Sequence, residues 1–362
     1  MLHAVIMAGG SGVRFWPASR KARPKQVLSV AGGSPLILQA LDRLEGLVPP
    51  GRITILTSRP QLEVIRRTVP EEIRPRVLAE PVPRDTAPCA ALAALLVEKA
   101  EPGAVMALLP ADHIIAPAAA FREALAAAAA AARDRDALVT FGIPPTFPAT
   151  GYGYIQSGDR AFGEKGLDFY QVRTFREKPG AETAARWLEE GGWFWNSGIF
   201  VWKAAVLLEE IRRHAPDLAL VMETLAKAWG SPHWEEALEE HFPKAPRGPI
   251  DKVVMEKTDR GLVLPAPFSW DDLGSWRSLP SHHPAGERGN TAVFPAGGRH
   301  VDLDSRDLVV FSQDEHLVAT LGLEGLTIVH TPDATLVCPT ERAQEIRDLV
   351  RLLEEKGMEK YT

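Results

Sequence analysis

Short apolar runs separated by stretches of helical spacing organise the first 145 residues. Residues 5–7, 53–57, 77–79, 105–109 and 138–141 are brief and β-branched or leucine-rich, the pattern of strands buried on both faces. Between them, residues 35–44, 61–68, 86–99 and 121–133 have helix-forming composition. This alternation predicts βαβ units and a doubly wound, mostly parallel α/β sheet of Rossmann-like type. Ligands on such sheets sit beyond the carboxyl ends of the strands. The alanine run 126–132 has high helix propensity and flanking charges, so it reads as an exterior helix rather than a linker.

The second half is less regular. Residues 169–175 and 199–202 read as strands, and 181–190 and 203–214 as helices, with a further apolar run at 262–265. After Asn290 the texture changes to short strands at close spacing: 301–303, 308–311, 317–321, 326–329 and 335–337. A helix over 341–356 closes the chain, with Ile346, Leu349, Val350 and Leu353 on one face. The expected division is a large α/β domain over 1–285 and a smaller β-rich, β-helix-like domain over 286–362. The small domain offers no obvious chemistry; packing or self-association, as in a homodimer, is its expected role.

Composition narrows the class. A chain of 362 residues, 45% hydrophobic and 24% charged, is ordinary for a globular protein of two domains. A net charge of -6 leaves no broad basic face for nucleic acid. Cys89 and Cys338 stand far apart with no C-x-x-C, so both are expected to be reduced thiols. The N-terminal apolar run lacks a basic flank and ends in glycines, and no run reaches the ~18 apolar residues of a membrane span. A cytoplasmic protein without membrane contact is expected.

The chemistry gathers around residues 8–25, A-G-G-S-G-V-R-F-W-P-A-S-R-K-A-R-P-K. Gly9, Gly10 and Gly12 let the backbone approach a ligand so that successive N–H groups converge on phosphate oxygens. Arg14 and Lys25 add charge-assisted hydrogen bonds to the same phosphates. The letters fit neither the P-loop nor the G-x-G-x-x-G dinucleotide fingerprint, which disfavours an oxidoreductase. Asp112 follows the 105–109 strand, where a hard oxygen ligand suits Mg²⁺, although an aspartate there also caps helices. Asp271 or Asp272, in W-D-D-L-G-S-W, would complete such a site; paired aspartates beside glycine also form plain Asx-turns. Glu177 and Lys178, in F-R-E-K-P, border the same side, the lysine suited to a phosphate and the glutamate to sugar hydroxyls. Glu80 carries a carboxylate able to pair with the N1–H and N2 edge of guanine, beside a helix-capping turn at Arg84, Asp85 and Thr86. The turns G-Y-G-Y, with Gly153, and W-N-S-G, with Asn196, can line a sugar pocket. His113 reads as structural.

These segments together resemble the sugar-phosphate nucleotidyltransferases, and within them the mannose-1-phosphate guanylyltransferases. The resemblance rests on A-G-G-S-G-x-R-x-W-P with P-K-Q at 24–26, E-P-x-x-R-D-T-A-P, L-P-A-D-H, G-Y-G-Y-I, F-R-E-K-P, W-N-S-G-I-F, I-D-K-x-V-M-E-K, W-D-D-L-G-S-W and G-N-T. It implies transfer of GMP from GTP to mannose 1-phosphate, giving GDP-mannose and pyrophosphate with Mg²⁺. It further implies that Gly9, Gly10, Gly12 and Arg14 hold the triphosphate, that Lys25 stabilises charge at the reacting phosphates, and that Lys178 grips the sugar phosphate. Asp112 and Asp272 would ligate Mg²⁺, Glu177, Asn196 and Gly153 would face the sugar, and Glu80 with Arg84, Asp85 and Thr86 would face guanine. The chain departs from the family pattern at Asp85, usually asparagine, and at Arg176, usually valine. It has no room for the cupin isomerase domain of some relatives, so no isomerase activity is expected. The alternatives are a sister enzyme for another nucleotide or hexose phosphate, and a non-catalytic nucleotide-sugar sensor.

Overall fold

The computed structural model describes every residue except Ser11 and Gly32. The first half alternates as its pattern predicts: β1 (Leu2–Ala8), α1 (Leu36–Asp42), β2 (Ile53–Ser58), α2 (Leu62–Thr68), β3 (Val77–Glu80), α3 (Thr86–Ala100), β4 (Val105–Pro110), the short β5 (Ile114–Ala116), α4 (Ala118–Arg135) and β6 (Leu138–Ile143). There follow β7 (Tyr154–Glu164), β8 (Leu167–Arg176), α5 (Ala181–Glu190), β9 (Trp193–Lys203), α6 (Ala204–His214), α7 (Pro216–Ala228), α8 (Trp234–His241), β10 (Gly261–Pro265) and β11 (Ser269–Asp271). Among the described residues nine strands form one sheet in the order β3-β2-β1-β4-β9-β6-β10-β8-β7. β1 pairs in parallel with β2 and β4, and β2 with β3. β9 runs antiparallel between β4 and β6, and β7 and β8 form an antiparallel hairpin at the far edge.

Helices cover both faces, because side chains alternate across a strand. Ala4, Ile6 and Ala8 of β1 join a core with α1, α2 and α4, whereas Val5 joins the opposite core with α3, α6 and α7. The alanine run packs as part of α4: Ala127, Ala128, Ala131 and Ala132 are buried, and their small side chains let the helix lie close on the sheet. No helix among the described residues is long and apolar enough to cross a membrane.

The W-N-S-G segment is not a turn beside a strand of 199–202 but the interior of β9, which begins at Trp193. Its glycine, Gly198, sits at φ +70, and the register against β6 shifts between Thr140 and Gly142. Strand alternation buries Trp193, Trp195 and Ser197 on one face and leaves Asn196 on the other, just before the irregularity.

Beyond Asn290 the strands are β12 (Thr291–Val293), β13 (Arg299–Leu303), β14 (Val309–Ser312), β15 (Leu317–Leu321), β16 (Leu326–Thr331) and β17 (Ala334–Pro339). β12, β14 and β16 stack in parallel, with Val293, Phe311 and Val329 in register, and β13 stacks on β15. This is the expected coil of short parallel strands, ended by β17 antiparallel to β16. The closing helix is shorter than its pattern implied: residues Thr340–Glu345 are 3₁₀, and only Ile346–Glu355 (α9) is α-helical. Ile346 and Val350 are buried, but Leu349 is 36% exposed, because the coil offers a narrower contact than the four apolar positions require.

A third core joins the two parts. Trp276 is buried between Phe15 (ring centroids 4.8 Å) and Phe311 (4.9 Å), and its indole N–H donates to the Trp16 carbonyl at 3.1 Å. The coil therefore packs directly on the glycine loop that leaves β1.

Candidate active site

The loop after β1 is held by its carbonyls. Thr57 Oγ1 donates to Ala8 O at 2.9 Å, Gln26 Nε2 to Gly10 O at 2.9 Å, and Ser19 Oγ to Gly12 O at 2.6 Å. Among the described residues the N–H groups of Gly10 and Gly12 find no acceptor, which leaves them available to an anion. Ser11, between them, lies outside the described residues. Gly12 takes φ +63, and a Cβ there would collide with the side chain of Lys25, so only glycine lets the loop close over that lysine.

Lys25 is the centre of the site. It is 4% exposed, and its Nζ donates to Asp112 Oδ2 at 2.9 Å and to the Asp272 carbonyl at 2.7 Å. Asp112 stands just past the end of β4, and Asp272 just past β11, which pairs antiparallel with β5 and so brings the two acidic turns together. Burial pushes Asp112 upward, but Lys25 and His113 more than offset this, and its carboxyl lies below the usual range. Burial raises Asp272 above the usual range despite Lys25 and a hydrogen bond from Tyr152 Oη at 2.9 Å. Arg14 donates to the Gly274 carbonyl at 3.1 Å, which brings the loop cation to the same turn.

The ambiguity between the two neighbouring aspartates resolves in the fold. Asp271 accepts from Leu273 N at 2.6 Å and pairs with His282 Nε2 at 2.8 Å, so it is the Asx-turn residue, with both carboxylate oxygens engaged, whereas Asp272 accepts through Oδ1 alone, from Tyr152 Oη. His113 is structural as expected: Trp270 Nε1 donates to its Nδ1 at 3.0 Å, and burial lowers it to about 4.

Glu80 ends β3 beneath the loop. It is buried, Oε1 has no partner among the described residues, and a Cβ on Gly9 would lie 3.7 Å from Oε2. Desolvation raises it to about 7, with only the Cys89 thiol opposing. Asp85 caps α3, accepting from Thr86 N at 2.7 Å with φ +72. The Arg84 and Thr86 side chains are occupied elsewhere: Arg84 donates to the Pro243 carbonyl, and Thr86 Oγ1 accepts from Ile250 N at 2.9 Å. They fasten the segment 243–251 to the rim of the cleft.

A second cluster lies on the hairpin side. Glu177 Oε2 would lie 2.7 Å from a Cβ on Gly153, and Asn196 N donates to Gly153 O at 2.8 Å. Lys178, at φ +46, is exposed and rests on Glu177 Oε1 at 2.5 Å. Arg176 is exposed. Tyr152, next to Gly153 and bonded to Asp272, links this cluster to the Lys25 site.

Asp251 was missed in the sequence. It opens a π-helical turn, Asp251–Met255, is buried, and accepts from Asn196 Nδ2 at 2.8 Å. Burial, then the nearby Glu177 carboxylate, raises it to about 7. The signal was an aspartate in an otherwise largely apolar stretch, G-P-I-D-K-V-V-M. A buried carboxylate set beside another has a ligand-binding look that periodicity does not register.

The chain belongs to the nucleotidyl transferase family. The nucleotidyl transferase family model matches residues 3–288, and that of the MannoseP isomerase/GMP-like beta-helix domain matches residues 298–353. Mannose-1-phosphate guanylyltransferase 2 of Escherichia coli O157:H7 is 35% identical over 366 residues, which span 99% of this chain and 74% of that protein. The alginate biosynthesis protein AlgA of Pseudomonas putida is 36% identical over 364 residues, 99% of this chain and 72% of its own. Among solved structures, a Thermus thermophilus protein described as a mannose-1-phosphate geranyltransferase superposes with TM-score 0.86 at 36% identity, covering 98% of this chain and 99% of that one.

Proposed function

We propose that the chain is a mannose-1-phosphate guanylyltransferase, which forms GDP-mannose and pyrophosphate from GTP and mannose 1-phosphate. The observation that carries this reading is Lys25, buried beneath the glycine loop and held between Asp112 and Asp272. A phosphate oxygen of mannose 1-phosphate, already ionised at neutral pH, attacks the α-phosphorus of GTP; the bond to the β-phosphate oxygen breaks, and pyrophosphate leaves. No general base is required, so the protein's task is positioning and charge neutralisation. The loop amides and Arg14 hold the triphosphate, and Lys25 stands where negative charge grows. Lys178, exposed and movable, closes on the sugar phosphate, while Glu177, Asn196 and Asp251 accept or donate to sugar hydroxyls. Glu80 receives the N1–H and N2 amino protons of guanine, which would satisfy its unpaired buried oxygen.

Asp112 and Asp272 fit Mg²⁺: they are hard oxygen donors, and this ion takes one or two carboxylates and fills its other positions with phosphate and water. Mg²⁺ bound there neutralises phosphate charge. A cytoplasmic setting accords with two widely separated thiols and with polyanionic substrates that do not cross bilayers unaided. Self-association through the coil is favoured by an apolar strip on β13 and β15, where Val301, Leu303, Leu317 and Leu321 are each more than half exposed.

Pyrophosphate release from purified protein, assayed with four nucleoside triphosphates against several hexose 1-phosphates, tests the reading. GTP with mannose 1-phosphate is expected to give the highest kcat/KM. A higher value for another pair reassigns the chain to a sister enzyme, and no turnover with any pair overturns catalysis.

A further inference from the structure

The coil carries a cluster that the transferase reaction does not use. Asp314 and His316 lie in the turn after β14, and His330 lies in β16, its backbone in register with Ser312. One carboxylate oxygen of Asp314 and one ring nitrogen of each histidine all lie within 4.8 Å of one another. The two imidazoles are stacked, with centroids 3.8 Å apart and planes 18° from parallel.

Two of the three ligand side chains are braced from behind, and the third, His316, is fixed through its backbone. His330 Nδ1 meets Thr335 Oγ1 at 3.0 Å, which directs Nε2 toward Asp314 Oδ1 at 3.7 Å, beyond hydrogen-bonding distance. Ser312 Oγ donates to Asp314 Oδ1 at 2.9 Å. The turn is closed by His316 N donating to Asp314 O at 2.9 Å. It is also stitched to the strands on either side, by Gln313 N to His330 O at 3.1 Å and Arg299 N to His316 O at 3.0 Å. Gly298 permits this packing, since a Cβ there would lie 2.7 Å from His316 O and 2.9 Å from Asp314 O. The donors thus stand on a hydrogen-bonded ladder rather than on a free loop.

We propose that Asp314, His316 and His330 form a site for a divalent transition ion of the zinc class, separate from the catalytic carboxylates. Two imidazoles and one carboxylate are the donor set preferred by Zn²⁺, Co²⁺ and Ni²⁺, whereas Mg²⁺ and Ca²⁺ take oxygen donors. Donor atoms around a tetrahedral ion at ~2.0 Å stand ~3.3 Å apart; the 3.7 Å pair closes with a shift of a few tenths of an ångström, whereas the stacked imidazoles, whose lone pairs lie in their ring planes, must open by about an ångström or more, a rotation left to the exposed His316 side chain. The open side leaves a position for water or an added ligand. The Thr335 hydroxyl performs the outer-shell task of fixing the histidine tautomer. Because β14 and β16 also supply Phe311 and Val329 to the core beneath the glycine loop, an ion here clamps rungs on which that loop rests.

The test is a Co²⁺ titration of untagged, chelator-treated protein in excess Mg²⁺, read by visible absorption, with displacement by Zn²⁺. A single saturable site with d–d bands is expected, lost in His316→Ala, an exposed turn position whose loss leaves the ladder intact by circular dichroism. Thr335→Val is expected to weaken Co²⁺ binding by about 10- to 100-fold. Absence of a saturable band in the wild type, or an unchanged titration in folded His316→Ala and Asp314→Asn, overturns the proposal.

Discussion

Lys25 combines two properties that rarely coincide in a lysine: it is buried, and both of its polar partners belong to the acidic turns it serves. Its charge is desolvated before substrate arrives, which is the condition under which a cation contributes most to a transition state. Lys25→Ala is expected to lower kcat by ~10² or more, the scale for losing one preorganised donor, with much less effect on KM for GTP. Steady-state kinetics at saturating GTP decides this, and a kcat unchanged within error removes Lys25 from the chemistry. Glu80 behaves oppositely. Its pKa is raised from 4.5 to about 7, so the folded protein binds the proton more tightly than the unfolded chain does. The associated stability is full below pH 4.5 and is lost as pH rises through 7, on the order of 3 kcal/mol. Glu80→Gln is therefore expected to raise the Tm at pH 8 relative to wild type and to flatten its fall between pH 5 and 8. Because guanine donates to the ionised carboxylate, GTP binding near pH 6.5 is expected to release a proton in wild type and not in Glu80→Gln. Calorimetry in buffers of different ionisation enthalpy measures it. The residue types of this site were legible as motifs, and Asp251 stood in one of them, I-D-K-x-V-M-E-K, but no role could be read for it, since a buried carboxylate carries no periodic signature.

At the scale of elements, the site depends on where strands stop. β1, β3 and β4 end together because they are parallel and in register, and their ends deliver Gly9, Glu80 and Asp112 to one edge. Asp272 arrives from far along the chain because β11 pairs with β5. β9 is the element that sequence reasoning cut short. Its aromatic residues made the strand clear after Ile199, but the N-S-G interruption resembled a turn; in the sheet, neighbours on both sides hold it extended and absorb the glycine as an irregularity. Gly153 shows how closely the hairpin side is fitted. Gly153→Ala places a methyl group 2.7 Å from the present position of Glu177 Oε2, so the glutamate must move. The expected result is a KM for mannose 1-phosphate raised about tenfold, the worth of one hydrogen bond, with KM for GTP unchanged. Equal rises in both constants would place Gly153 outside the sugar side of the cleft.

The whole molecule is one assembly of two parts, joined where Trp276 bridges the glycine loop and the coil. Trp16 Nε1 donates to Tyr361 O at 2.7 Å, and Arg20 pairs with Asp333 at 2.6 Å, so the coil braces the segment that carries Lys25. On its outer side Leu321 is 69% exposed within the apolar strip of β13 and β15. Leu321→Lys is expected to convert a dimer to monomer in light scattering, with turnover per chain retained; a wild type that is monomeric at micromolar concentration refutes association through this strip. Periodicity in the chain by itself determined the alternating strands and helices of the first half and the short strands of the coil, but not β7, α7 or α8, because the alternation of apolar and polar positions is a local property that burial on one or two faces imposes. The glycine loop and the acidic turns were equally local, being runs of specific residue types. Tertiary structure alone decided which of two adjacent aspartates is tied up in the turn, that β9 runs antiparallel through the sheet centre, and that Asp251 lies near the Glu177 carboxylate. Those outcomes depend on pairings between residues distant in the chain, where register and burial, rather than any local preference, determine the direction in which a side chain points.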